Sequence, residues 1–225
     1  HLAGASACDR MRVLRAYGGD ARRLWWRAVA EAHGALARRD HAHLLRTGTR
    51  ASRRFAPVAA PGVTGWCRRG APLDEALAAL ADGAREAERV WLVALGPLAR
   101  RARARAWAAA LVLAQRGAAP PPIALLRRDD GACFLAAERE PGARPLAEIA
   151  PAHARAALVG LLDRLLAFGF EPAALAPQAV VIVPTPAGGR RAQLLDPRGL
   201  RPGRARPDGL AVRAWAARLV AETKA

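Results

Sequence analysis

The sequence predicts an α+β fold with antiparallel hairpins, and three observations carry that expectation. "PPPIALLRRDDGACFLAAERE" (120–140) sets two apolar runs on either side of an Asp-Asp-Gly turn, a strong hairpin signature. "PLARRARARAWAAALVLAQRG" (97–117) has Pro97 near its start, Gly117 at its stop and a Leu/Val/Trp stripe between, which marks a helix. The elements follow one another without regular βαβ alternation or an internal repeat, which excludes a doubly wound parallel sheet.

The remaining elements follow in order. In residues 9–46, Met11, Leu14, Leu24, Trp25, Val29, His33 and Leu36 fall near a 3.6-residue period, and Gly-Gly-Asp at 18–20 breaks it, so two helices are expected. Residues 51–70 are short apolar runs punctuated by Pro and Gly, the pattern of a hairpin. "PLDEALAALADGAREAE" (72–88) predicts a short helix ending near Gly83, and "RVWLVALG" (89–96) predicts a buried strand. "RPLAEIAPAHARAALVGLLDRLLAFGF" (144–170) predicts a long amphipathic helical region with Leu158, Leu161, Leu162, Leu165 and Leu166 on one face. From Phe168 to Leu200 the pattern is a loop, an apolar strand, a Gly turn and a second strand ending in Asp196. A last helix is expected over about 208–222, around Val212, Trp215 and Leu219.

Composition narrows the function classes. The 225 residues suffice for one sizeable core, and the six Trp are its main large anchors because aromatic residues make up only 5%. A net charge of +17 suggests an anionic partner, nucleic acid or membrane. Yet Lys224 is the single Lys, and the Arg residues are spread over the whole length alongside abundant Ala, Gly and Pro, as a GC-rich genome produces. Nucleic-acid binding is therefore the disfavoured reading, and an anionic membrane surface stays open. Cys8, Cys67 and Cys133 are odd in number and share no CxxC spacing, which argues against a disulfide framework or zinc knuckle and points to a reducing, cytoplasmic setting. The longest uncharged run, Pro172 to Gly189, is broken by four prolines and resembles neither a membrane span nor a signal peptide. The chain begins at His1 rather than Met, as a fragment would.

Four stretches, taken in order, resemble the kinase-like fold and within it the bacterial lipopolysaccharide core kinases. "RARAWAAALVLAQRGAAPPPIALL" is similar to the helix after the third strand of that family, and "CFLAAEREPGARPLAEI" to its strand and hinge. "LLDRLLAFGFEPAALAPQAVVIV" resembles the helix and catalytic loop, and "AQLLDPRGLR" the strand that delivers a metal-binding Asp. The likeness covers roughly 55–222. It implies a two-lobed fold in which 51–140 form the first lobe and hinge and 141–225 a shortened second lobe, preceded by a helical segment over 1–50. That segment resembles the helical tail that closes such a domain. It is read either as the end of a preceding kinase-like unit or as an unrelated helical lead-in.

The resemblance also implies which residues should hold ATP and Mg²⁺, and most are missing. Phosphoryl transfer needs positioned phosphates, a divalent metal and an oriented hydroxyl. The third-strand Lys falls on Ala94, and its partner acid falls at Ala106 beside Trp107. Arg100 or Arg101 is the available phosphate-binding substitute, with a bulkier planar fork. The catalytic-loop pattern aligns on Pro172, Ala173, Ala174 and Leu175, which puts Ala174 in place of the base, with Glu171 the nearest acid. The second metal-holding residue falls at Ala179, or at Gln178 one register away. Asp196 alone remains in the metal position; its other reading is the opening residue of a D-P-R-G turn. No glycine-rich phosphate loop stands out.

Other candidates carry less. His41 and His43 with Asp40 have ligand-type side chains, but H-x-H on a helix points the rings apart. His33 and His153 are isolated, and Ser6 and Ser52 lack a His/Asp arrangement. Trp25–Trp26 would mark a partner site if both were exposed. The expectation is thus a kinase-like domain with decayed catalytic residues, pseudokinase-like, in the cytoplasm or peripheral to the inner membrane. Its expected partners are an adjacent kinase-like unit or envelope-biosynthesis enzymes. The alternatives are a divergent active sugar-lipid kinase using Asp196 for Mg²⁺, and an Arg-rich binder of nucleic acid or anionic membrane.

Overall fold

Five antiparallel strands with a helix on each face form the larger sheet. The computed structural model describes residues 22–84, 86–202 and 209–222. Chain order is α1 (Arg22–Thr47), β1 (Phe55–Ala60), β2 (Val63–Arg68), α2 (Leu73–Ala81), β3 (Val90–Pro97), α3 (Arg100–Gln115), β4 (Pro122–Arg128) and β5 (Ala132–Glu138). There follow β6 (Arg144–Pro145), α4 (Pro151–Ala167), β7 (Phe170–Pro172), β8 (Val180–Pro184), β9 (Arg190–Leu194), β10 (Leu200–Pro202) and α5 (Gly209–Glu222). The fold class is α+β, as the hairpin and helix signatures predict. The first of the two helices expected over 9–46, Cys8 and Ser6 lie outside the described residues, as do the side chains of Trp25, Trp26 and His33.

The sheet order is β1-β2-β4-β5-β3. The Pro61-Gly62 turn joins β1 to β2, and Gly62 adopts φ +70°, a left-handed conformation that glycine takes without a Cβ clash. Alternation along β4 sends Leu125 to one face and Leu126 to the other. On the second face α2 packs Ala76 and Leu80 against Val90, Leu92, Ile123 and Leu126. On the first, Leu125, Leu135 and Leu95 meet α3, whose Trp107 and Val112 are fully buried. That core continues to Leu158, Leu161 and Leu162 of α4 and to Val180 and Ile182 of β8. Each such buried Leu contributes roughly 1.5–3 kcal/mol relative to exposure.

β3 is the buried strand that its apolar run predicts, although it lies at the sheet edge: α2 covers one face, while Trp91 packs on the other against Val181, Val183 and Leu195. Two boundaries are corrected. α3 begins at Arg100, because Pro97 still pairs with Ala132 at the end of β3. The helical region expected from 144 starts only at Pro151, because Arg144 and Pro145 pair with β8 and Leu146–Glu148 form a single 3-10 turn. A Pro at the first helical position suits the start of α4, since its missing N–H has no intrahelical partner there.

Beyond α4, β6, β8 and β9 form a three-stranded sheet, and β7 pairs with β10. α5 packs Ala216, Leu219 and Val220 into the same core as α4. Among the described residues no helix is long and apolar enough to cross a membrane.

Candidate functional site

β8 and β9 are buried strands, and their hairpin carries the chain to Leu195 and Asp196. The Leu195 amide donates to the Ala179 carbonyl at 2.7 Å, which fixes the strand end against the preceding 3-10 turn. Asp196 then opens a 3-10 turn over Pro197–Gly199, and its Oδ1 accepts the Arg198 amide at 2.9 Å. Pro197 suits the first position of that turn because its fixed φ is already helical. The turn-opening reading of Asp196 therefore holds.

The Arg198 side chain folds back on the same carboxylate. Its Nε donates to Oδ1 and Oδ2, each at 3.0 Å, and Nη2 donates to Oδ2 at 2.6 Å. The guanidinium then reaches across to β3: Nη1 donates to the Leu95 carbonyl at 2.6 Å and Nη2 to the Ala94 carbonyl at 3.2 Å. One cation thus ties the acid at 196 to the strand position where the resemblance expects a Lys. The hydrogen bond to Asp196 raises the Arg198 pKa above its ordinary value, against a smaller opposing effect of burial. The guanidinium therefore stays charged at any working pH.

The loop assigned to the catalytic base joins this turn from the other side. The Ala173 and Ala174 amides donate to the Gly199 carbonyl at 2.8 and 3.2 Å. A Cβ at Gly199 would lie 2.3 Å from the Ala174 carbonyl oxygen, so this close approach demands glycine. Ala174 is exposed and lines a cavity of about 150 Å³, walled by Leu162, Leu175, Trp215 and Leu219. Turn 196–199 therefore brings Ala94, Ala174 and Asp196 together as neighbours. The side chains that meet there are a carboxylate, a guanidinium and methyl groups.

The remaining candidates lie apart from it. Glu171 is half-buried on β7, in register with Arg201 of β10. Ala179 is buried, and Gln178 is exposed. Ala106 is buried in α3, and the Trp107 indole donates to the Gly48 carbonyl at 2.9 Å, so both are structural. Arg100 and Arg101 are exposed, and Arg100 lines a different cavity, with Arg103 and Arg127. Asp40 pairs with Arg116 at 2.6 Å, and His41 sits edge-on to Phe170 while His43 is exposed. His153 is exposed, and Ser52 Oγ accepts the amides of Arg54 and Phe55. Cys67 and Cys133 are buried free thiols.

A metal ion at Asp196 would have to displace the Arg198 guanidinium from both carboxylate oxygens. Mg²⁺ is held by one or two carboxylates together with substrate phosphates. Among the described residues no three His, Cys, Asp or Glu side chains converge, and both oxygens of Asp196 already accept from Arg198. The sequence reading missed Arg198 as the partner of that acid. Its signal was present in the i, i+2 spacing of D-P-R, which lets a long side chain reach back over a tight turn. Also missed was Glu140, which accepts from Arg191 at 2.5 and 2.6 Å and from Gln193 at 2.8 Å, tying the segment after β5 to β9.

Models of known protein families give no match to the chain, and no curated protein matches it.

Proposed function

We propose that this chain is a kinase-like domain, related to lipopolysaccharide core kinases, that has lost phosphoryl transfer and serves as a structural or regulatory unit. One arrangement supports the reading. The acid at the metal position, Asp196, is spent on Arg198, and that guanidinium is held on the Ala94 and Leu95 carbonyls of the strand where a phosphate-holding Lys is expected and an Ala stands. Ala174 supplies no base. Positioned charges provide most of the acceleration in this chemistry, so their loss together removes several orders of magnitude in rate. In this reading the first lobe and hinge span 51–140 and the second lobe 141–225, and the unit works on the cytoplasmic side, free or against the inner membrane. Its partner there is an adjacent kinase-like unit or an envelope-biosynthesis enzyme.

The test is incubation of the chain with ATP, Mg²⁺ and a lipid-A-core acceptor. No phosphate transfer is expected. Turnover that Asp196→Asn abolishes would overturn the proposal and establish a divergent sugar-lipid kinase in its place.

A further inference from the structure

A second concave site lies on the α3 face of the five-stranded sheet, and its lining contains no residue of the 196–199 turn. It encloses about 330 Å³, at the small end of the range of roughly 300–1,000 Å³ typical of small-molecule sites. Arg100 and Arg103 stand one turn apart on the same side of α3. Across from them, β4 contributes Arg127, and β2 contributes Thr64 and Trp66, two residues apart and therefore on one face. Thr64 is in register with Arg127 and Trp66 with Leu125, so the cationic and aromatic walls adjoin. Thr49, just after α1, completes the polar lining.

The electrostatics of this cavity are unbalanced. No Asp or Glu lines it. Elsewhere on or beside the same sheet arginines have acid partners: Arg68 with Glu138, Arg128 with Asp130 and, just after β5, Arg139 with Glu86. Among the described residues, no ion pair or hydrogen bond engages the side chains of Arg100, Arg103 or Arg127. Three arginines lining one concavity without an acid among them leave it positively charged, and an anion seated there would offset their mutual repulsion. Guanidinium forks match phosphate oxygens two at a time, and hydroxyls add neutral donors. Trp66 offers an amphipathic wall for an apolar or planar portion of the same ligand.

We infer that this cavity binds a small molecule through a phosphate or diphosphate group, with Arg100, Arg103 and Arg127 as the anion-binding residues and Trp66 beside the body of the ligand. The inference does not rest on a kinase-like reading of the Asp196 turn. Such a group comes either from a soluble phosphate ester or from a lipid headgroup.

Two titrations of the chain separate these sources: inorganic pyrophosphate by calorimetry, and co-sedimentation with phosphatidylcholine vesicles with and without phosphatidic acid. Arg103→Gln and Arg127→Gln are each expected to weaken binding about tenfold, the loss of one charge-assisted bond pair. Arg128→Gln is the control, because it removes the same charge one residue along β4, where the side chain faces away and pairs with Asp130. Arg127→Lys keeps the charge without the fork and should fall between. Pyrophosphate binding with this pattern supports the site and a soluble ligand. Binding only to phosphatidic-acid vesicles with the same pattern supports the site and a lipid ligand. Binding of neither probe, or equal weakening by Arg128→Gln, overturns the inference.

Discussion

Replacing Arg198 by Ala removes one side chain that serves two elements at once. The guanidinium gives Asp196 a doubly engaged carboxylate and caps two carbonyls at the end of β3, Ala94 and Leu95. The Asp196 side chain is only 16% exposed, so water replaces the lost donors incompletely, whereas Arg198 is 41% exposed and its charge is partly screened. An exposed ion pair contributes about 0.2–1 kcal/mol, and breaking a buried one costs about 3–5 kcal/mol. The intermediate geometry, with the Arg198 amide still bonded to Oδ1, places Arg198→Ala at about 1.5–2.5 kcal/mol of destabilisation. Urea unfolding followed by tryptophan fluorescence reads that loss directly. A double-mutant cycle with Asp196→Asn should return a coupling of about 1 kcal/mol, and the remainder belongs to the β3 carbonyls. Arg198→Lys should recover less than half, because an ammonium cannot reach the carboxylate and both carbonyls together. A loss below about 0.5 kcal/mol, or no coupling to position 196, would refute the bridge between the turn and β3.

Three further outcomes follow from the same geometry. Gly199→Ala drives a Cβ to 2.3 Å from the Ala174 carbonyl and forces backbone to move, so a loss of about 2 kcal/mol or more is expected in the same unfolding assay. Trp107→Phe keeps the buried ring but leaves the Gly48 carbonyl without its indole donor, which should cost about 1–3 kcal/mol and loosen α1 from α3 in hydrogen exchange. Burial lowers the His41 pKa below 6.5, with Arg105 also acting on it, so the folded state binds fewer protons than the unfolded chain. Stability should therefore fall as pH drops from about 6.5 through the folded pKa, and His41→Gln should flatten that part of the stability–pH curve.

The hairpins, α3 and the final helix were legible because local chemistry specifies them: Pro61-Gly62 and Asp-Asp-Gly make turns, and Leu and Trp repeat at helical spacing. The place of β3 was not. A run such as Val90-Trp91-Leu92 reports burial on both faces and says nothing about which neighbour does the burying, so it does not tell an edge strand covered by α2 and the β8–β9 hairpin from a central one. The start of α4 was displaced because Pro145 and Pro151 admit either a helix start or an extended entry, and pairing of Arg144 with Ile182 decides it. At the candidate site, Asp196 was visible as an acid before a turn, but its neutralisation by Arg198 was not, because that depends on a side chain folding back and on carbonyls about a hundred residues earlier. The cavity of Arg100, Arg103 and Arg127 was the least legible. Its members come from a helix and a strand in a chain where Arg is everywhere, and only packing brings these three to the lining of one cavity.

The most direct measurement of the central claim is the melting temperature of the chain with ATP, in the presence and absence of Mg²⁺. With Asp196 committed to Arg198, magnesium should add nothing to whatever stabilisation the nucleotide gives through its phosphates alone. A magnesium-dependent rise that disappears in Asp196→Asn would contradict the account, since it would show the carboxylate leaving its guanidinium to hold a metal.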